Sequence, residues 1–160
     1  MRFEGIYTPI VTPYHADFSL NDAALAETVE HLITAGVHGI IVAGTTGEYY
    51  AQSADERLDL MARMKTLVND RVPLIVGTGA MRTEDSVIFA KQAKQIGADA
   101  LLVATPPYAY PTGREIALHA LAIDRSANLP VMLYNHQIIR RDDARNETHI
   151  HRVMRCDSVA

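Results

Sequence analysis

The segment Gly39-Ile40-Ile41-Val42-Ala43-Gly44-Thr45-Thr46-Gly47-Glu48 decides how this chain folds. Its first half is a short apolar run, which is typical of a buried strand. Its second half is a loop with two glycines and two threonines, and the pattern Ser53-x-x-Glu56 after it predicts the start of a helix. Such a loop lets the backbone approach a ligand closely and suits a carboxylate or phosphate. A plain strand-to-helix turn capped by threonines stays an alternative at this point.

The alternation of strand and helix continues through most of the chain. Helix starts are predicted near Asn21, at Ser53, at Thr83 as a cap, and at Thr112, which has Glu115 three residues later. The predicted strands cover residues 4–8, 39–43, 73–77, 100–104 and 130–134. Short apolar strands without polar alternation indicate parallel strands that are covered on both faces. Repeated units of this kind fit either a TIM barrel or a doubly wound sheet.

Composition excludes several classes of function. The 160 residues carry a net charge of −4 with no basic stripe, which argues against nucleic acid as a partner. No apolar run is long enough to span a bilayer, and no signal peptide is evident at the start. The single cysteine, Cys156, excludes a disulfide framework within the chain. We therefore expect a cytoplasmic protein without a membrane partner.

Hydroxyl groups dominate the positions just after the predicted strands, where ligands bind in both α/β architectures. These positions hold Thr8, Thr12, Thr45, Thr46, Glu48, Thr78, Met81, Thr105, Tyr108, Tyr110, Tyr134 and Asn135. Alcohols and phenols can bind a carboxylate and can pass protons. The set contains no metal-ligand cluster, and no dinucleotide fingerprint follows a strand, so we expect no cofactor. His149-x-His151 is interpreted as a pair of surface histidines, and Tyr49-Tyr50 fits either a pocket wall or a subunit contact.

Five of these segments together resemble the dihydrodipicolinate synthase / N-acetylneuraminate lyase family of pyruvate-dependent class I aldolases. The motifs are Thr8-Pro9-x-x-Thr12-Pro13, Gly44-Thr45-Thr46-Gly47-Glu48, Pro73-x-x-x-Gly77, Thr105-Pro106-Pro107-Tyr108 and Leu133-Tyr134-Asn135. Their order and spacing match the family from about residue 6 to residue 135. The resemblance implies a (β/α)₈ TIM barrel, of which this chain covers about the first five βα units as a half-barrel.

The resemblance also implies roles for individual residues. Thr46 would hold the carboxylate of pyruvate, with Gly44, Gly47 and Thr8 in the same substrate-binding group. Tyr134 would act as the acid and base, and Thr45 would link its hydroxyl to that of Tyr108. Tyr108 would reach into the site of a neighbouring subunit, which implies a homo-oligomer. The substrates implied are pyruvate and an aldehyde.

The chain departs from the family pattern after residue 135. The family has a Pro-x-Arg-Thr-Gly-like segment there, whereas residues 136–141 read His-Gln-Ile-Ile-Arg-Arg, as a local frameshift would produce. Val153 and Met154 are predicted to lie at a helix end, and residues 158–160 at the start of strand six. The family continues Val-Ala-Ile-Lys with a Schiff-base lysine, but this chain stops at Ala160. The expected organisation is a barrel half at 1–135 and a divergent segment at 136–160.

Several functions follow as alternatives. The first is a 4-hydroxy-tetrahydrodipicolinate synthase-like condensation of pyruvate with an aldehyde, by a fragment that has no Schiff-base lysine and is inactive alone. A sugar-acid aldolase or dehydratase of the same family is the second. The third alternative is a complete binding module with a flavodoxin-like sheet. The fourth is a non-catalytic paralogue that binds pyruvate-like acids or assembles with relatives. The three lysines, Lys65, Lys91 and Lys94, are all predicted to lie on helix surfaces.

Overall fold

A computed structural model describes residues 3–107, 109–134 and 153–154 of the chain. The described part alternates strands and helices, as the sequence predicts, and a short 3₁₀ turn at Tyr49–Ala51 precedes the second helix. In chain order the elements are β1 (Tyr7–Pro9), α1 (Asp22–Thr34), β2 (Gly39–Val42), α2 (Ala54–Val68), β3 (Leu74–Gly77), α3 (Thr83–Gln95), β4 (Ala100–Ala104), α4 (Gly113–Ala127), β5 (Val131–Tyr134) and β6 (Val153–Met154).

The strand order separates the two candidate architectures. Strands β1 to β5 are parallel, and each pairs with the next one in the sequence. A doubly wound sheet reverses its strand order at a switch point, whereas a TIM barrel adds each new strand beside the last. The sheet therefore forms half of a (β/α)₈ barrel, and the flavodoxin-like alternative is wrong.

Both faces of the sheet are apolar, and within the described residues the helices α1 to α4 cover one of them. The helix-facing side of the strands belongs to the main core, which contains Ile40, Val42, Leu74, Val76, Leu101, Val103 and Val131. The predicted stripe of α2 packs into this core, where Leu60, Met61, Met64 and Val68 are at most 1% exposed. The opposite side carries a smaller cluster of Ile41, Ile75, Ala100 and Met132. This second cluster faces the barrel interior, which explains why the strands do not alternate with polar residues.

The helix ends follow the predicted chemistry. Ser53 with Glu56 and Thr112 with Glu115 both form complete capping boxes. Helices α1 and α3 are followed by glycines in the left-handed region, with φ of +82° at Gly36 and +80° at Gly97. Helices α2 and α4 end instead on left-handed asparagines, Asn69 and Asn128. The sequence reading did not identify these two asparagine caps.

Two local predictions are wrong at the ends of the sheet. Strand β1 begins at Tyr7 rather than at residue 4, because Gly5 has a φ of +92° and breaks the extended backbone before it. Pro9 is accommodated because β1 lies at an edge of the sheet. Residues 153–154 form the short strand β6, antiparallel to β5, and not a helix end. Backbone pairing along the edge of β5 accounts for this conformation. The strand predicted at 158–160 lies outside the described residues.

Thr83 does not cap α3, because it is the first residue of the helix and Arg82 occupies the cap position without a side-chain bond. The Thr83 hydroxyl instead lies 2.9 Å from Nδ1 of His119 on α4. His119 is only 5% exposed, so this contact joins two neighbouring helices inside the core. Burial lowers the pKa of His119 against a smaller opposing effect of the Ala104 backbone. The native state therefore favours the neutral ring.

Replacing His119 by glutamine should reduce the acid sensitivity of the fold. The unfolded chain takes up a proton on this histidine near its ordinary pKa of 6.5, whereas the buried ring resists protonation. The contribution of the neutral His119 ring to the free energy of unfolding is therefore fully present above pH 6.5. It is lost as the pH falls through the lower pKa of this histidine in the folded state. Urea unfolding of H119Q between about pH 7.5 and about pH 5 should show a smaller loss of stability than the wild type.

The matched control is H31Q, which changes an exposed histidine in the last turn of α1. This variant should keep the pH dependence of the wild type. Parallel stability curves for H119Q and the wild type would contradict the role assigned to His119.

Gly77 ends β3 against the backbone that follows β2. A Cβ atom at this position would lie 2.1 Å from the carbonyl oxygen of Ala43 and 3.1 Å from the amide nitrogen of Gly44. Both atoms belong to the backbone, so neither can rotate out of the way. The absence of a side chain at Gly77 is therefore what lets β3 lie directly behind the 44–48 loop.

Substituting Gly77 by alanine should destabilise the protein by about 3 kcal/mol, because the new methyl group forces β3 away from β2. The control is G113A in the first turn of α4, where an added Cβ meets nothing within 4 Å. This change should be neutral or stabilising by up to about 1 kcal/mol. Thermal unfolding of both variants measures the difference, and equal effects would refute the packing argument.

Candidate functional site

A cavity of about 150 Å³ opens at the carboxyl ends of the parallel strands. Its walls come from every strand between β1 and β5 and from the loops that follow β2 and β3. The lining residues are Tyr7, Pro9, Ile41, Ala43, Gly44, Thr45, Thr46, Tyr49, Gly77, Gly79, Leu102, Ala104, Met132, Leu133 and Tyr134. Four of the predicted site residues, Gly44, Thr45, Thr46 and Tyr134, are thus brought together from two distant parts of the chain.

The 44–48 loop is held between two left-handed residues that are not glycine. Ala43 has a φ of 53° and Glu48 a φ of 58°, conformations that cost a residue with a Cβ about 1–2 kcal/mol. The loop closes on itself through bonds of 3.1 Å from the Gly47 N–H to the Gly44 carbonyl and from the Glu48 N–H to the Thr45 carbonyl. Strained backbone of this kind is concentrated at functional sites.

Gly47 supports the loop from behind and does not line the cavity. Its carbonyl accepts hydrogen bonds from the Thr12 hydroxyl at 2.9 Å and from Gln52 Nε2 at 3.1 Å. A Cβ at Gly47 would lie 2.9 Å from the Ile10 carbonyl oxygen. Thr12 and Gln52 therefore fix the position of the two threonines, although the sequence reading gave Thr12 no such role and did not single out Gln52.

Thr45 and Thr46 remain available to a ligand. Both residues are exposed. In the described part of the chain, the hydroxyl and the backbone N–H of each threonine form no hydrogen bond with another residue. Thr8 differs, because Tyr7 and Pro9 on either side of it line the cavity. Successive side chains of a strand point to opposite faces, so the Thr8 side chain is directed away from the cavity.

Tyr134 ends β5 opposite Ala104, the last residue of β4. It is 37% exposed and lines the cavity together with the threonine loop. A phenol in this position can donate a proton to a bound ligand and take it back. Tyr108, the other predicted tyrosine, lies outside the described residues.

Arg57, which no sequence motif marks as a site residue, is 3% exposed on α2. Its guanidinium lies 3.7 Å from the ring centroid of Phe89 and 5.0 Å from that of Tyr49, a cavity-lining residue. Burial lowers the pKa of Arg57 to about 10, partly offset by Tyr49. The only sequence signal was an arginine on the apolar face of a predicted helix.

The lysines lie away from the cavity. Lys65 is on α2 and pairs with Asp70 at 2.5 Å, whereas Lys91 and Lys94 are exposed on α3. Their predicted helix positions are confirmed. Within the described ranges, no group of three or more potential metal ligands comes together. None of the described helices combines the length and hydropathy of a membrane-spanning segment.

The chain is similar in sequence to 4-hydroxy-tetrahydrodipicolinate synthases. The chain is 41% identical over 133 residues to the 4-hydroxy-tetrahydrodipicolinate synthase of Chelativorans sp. strain BNC1. The matched region covers 83% of this chain and 45% of the relative. The chain thus spans about half the length of the curated relatives that it matches.

Solved structures agree with this similarity. The 4-hydroxy-tetrahydrodipicolinate synthase of Methylacidiphilum fumariolicum SolV superposes with a TM-score of 0.83 at 33% identity, covering 86% of this chain and 46% of that one. YagE of E. coli K12, a prophage protein of the dihydrodipicolinic acid synthase family in complex with pyruvate, superposes with a TM-score of 0.82 at 32% identity over 86% and 46% of the two chains. The sequence model of the dihydrodipicolinate synthetase family matches residues 2–160. This chain belongs to the dihydrodipicolinate synthetase family.

Proposed function

We propose that this chain supplies the carboxylate-binding and proton-transfer half of a pyruvate-dependent Schiff-base lyase or synthase. The observation that carries the proposal is the meeting of Thr45, Thr46 and Tyr134 around one cavity at the carboxyl end of the sheet. The two threonines offer hydroxyls and backbone N–H groups to an anion, and the tyrosine offers a phenol to the carbon chain of the same ligand.

The reaction type follows from the named relatives. Curated relatives at about 40% identity are 4-hydroxy-tetrahydrodipicolinate synthases, and two structural relatives are in complex with pyruvate. We therefore assign the whole protein to aldol condensation of pyruvate with an aldehyde. Thr46 binds the pyruvate carboxylate in this assignment, while Thr45 passes protons between Tyr134 and Tyr108. Gly44 admits the ligand close to the backbone, and Gly47 holds the loop.

The proposal extends to location and assembly. A single cysteine and the absence of a disulfide framework suit the reducing cytoplasm. Large apolar side chains lie exposed in the segments that follow β2, β3 and β4, with Tyr50 at 65%, Met81 at 63% and Tyr110 at 50%. Exposed apolar groups beside a site favour a contact with another subunit, so we assign a homo-oligomer.

Thr46→Val should weaken pyruvate binding by the 160-residue chain about tenfold, because one hydrogen bond to a charged group is lost. Ligand-observed NMR titration with pyruvate measures the dissociation constant. The control is T66V, which removes an exposed hydroxyl on α2 that bonds only to the Ala62 carbonyl. T66V should bind like the wild type. Equal affinities for T46V and the wild type would refute the assignment of Thr46.

Incubation of the chain with pyruvate and borohydride should leave no covalent adduct. A Schiff base needs an amine beside the bound ketone, and Lys65, Lys91 and Lys94 all lie on helices outside the cavity. Intact-protein mass spectrometry measures the product, with the full-length synthase of Bacillus subtilis treated identically as a positive control. Stoichiometric labelling of any of the three lysines would contradict the prediction.

A further inference from the structure

Arg57 is a buried cation behind the wall of the cavity. Its Nη1 donates to the Gly79 carbonyl at 2.8 Å and its Nη2 donates to the Gly77 carbonyl at 2.9 Å. Nε forms no hydrogen bond. The guanidinium also lies 3.7 Å from the ring centroid of Phe89 and 5.0 Å from that of Tyr49.

Three of these neighbours, Tyr49, Gly77 and Gly79, belong to the lining of the cavity. Gly77 in turn lies against Ala43 and Gly44, so Arg57 is separated from the threonine loop by one layer of backbone. Arg57 is therefore in contact with the wall of the cavity from behind, although its own side chain does not line the cavity.

The charge of Arg57 is not neutralised locally. No carboxylate in the described part of the chain pairs with it, and both of its hydrogen-bond acceptors are neutral carbonyls. With a pKa of about 10 it stays cationic at neutral pH. None of the residues that line the cavity carries a charged side chain. Buried charges are normally paired, so an unpaired cation behind a cavity with uncharged walls favours an anion as the ligand of that cavity.

We propose that Arg57 is a positioning residue that makes the cavity selective for anionic over neutral small keto compounds. The inference rests on the proposed function, because it assumes that a small carboxylate binds at Thr45 and Thr46. It adds that the Arg57 guanidinium supplies the positive charge that the threonines of the loop do not carry. Arg57 acts through Gly77, Gly79 and Tyr49 and does not touch the ligand.

The test compares pyruvate with its neutral analogue pyruvamide on the 160-residue chain, using the ratio of the two dissociation constants. In R57M the preference for pyruvate should fall about tenfold, because a unit charge a few ångströms behind the wall is removed. R57K keeps the charge and should keep the ratio within about twofold, although both ligands bind more weakly without the guanidinium fork. A purely structural role would weaken both ligands equally in R57M and leave the ratio unchanged.

The matched control is R63M on the same helix, which removes an arginine that pairs with Asp22 and Asp59 at the surface. It should leave the ratio unchanged. R57Q, a neutral hydrogen-bond donor, replaces R57M if the methionine variant does not fold, and its ratio should fall in the same way. In the wild type, about 0.5 M salt should leave most of the preference intact, because a buried charge is screened weakly.

The two proposals fail in different ways. A wild-type chain that binds neither ligand overturns the proposed function. A wild type that prefers pyruvate, with the same preference in R57M or R57Q, overturns the role of Arg57 alone. Loss of the wild-type preference at high salt also overturns it, because the charge responsible would then be exposed.

Discussion

The close contact between Gly77 and the backbone of Ala43 and Gly44 is the constraint on which the site depends. A Cβ at residue 77 would lie 2.1 Å from the Ala43 carbonyl oxygen, so β3 can approach β2 this closely only without a side chain there. The same contact supports the left-handed backbone of Ala43, which turns the chain out of β2. Arg57 holds the other side of Gly77 through its carbonyl. The loop is thereby fixed from the sheet side, while Thr12 and Gln52 fix it at Gly47.

The order of the strands turns this local constraint into a site. Because β1 to β5 are parallel and follow one another in the sheet, their carboxyl ends all lie at the same end of the half-barrel. Residues about 90 positions apart in the sequence meet there. Thr45 and Thr46 follow β2, and Tyr134 ends β5, yet all three line one cavity. The apolar inner face of the sheet supplies the rest of the wall. A cavity with hydroxyl groups at its opening and apolar side chains on its inner wall suits a small acid with a short carbon chain.

Much of this arrangement could be predicted from the sequence, because the decisive signals are local. Capping boxes at Ser53 and Thr112 and apolar strands at regular spacing determine the elements, and both boxes form as predicted. The sequence did not reveal contacts that exist only after folding. Thr83 resembles a helix cap, but its hydroxyl bonds to His119 on a different helix. Arg57 lies on the apolar face of α2, but its partners, the Gly77 and Gly79 carbonyls, come together with it only when α2 packs against the end of β3. The family resemblance groups Thr8 with the binding residues, whereas strand alternation directs its side chain away from the cavity.

The proposed function requires the 44–48 loop to bind a small carboxylate. Amide-resolved NMR of the isotope-labelled chain during a titration with pyruvate tests it most directly, because each N–H of the loop reports separately. Binding at the loop should give the largest shifts at the amides of Thr45 and Thr46, with smaller ones at Tyr134 and Gly79. Shifts confined to surface residues such as those of α1, or no saturable shift at any loop amide, would contradict it.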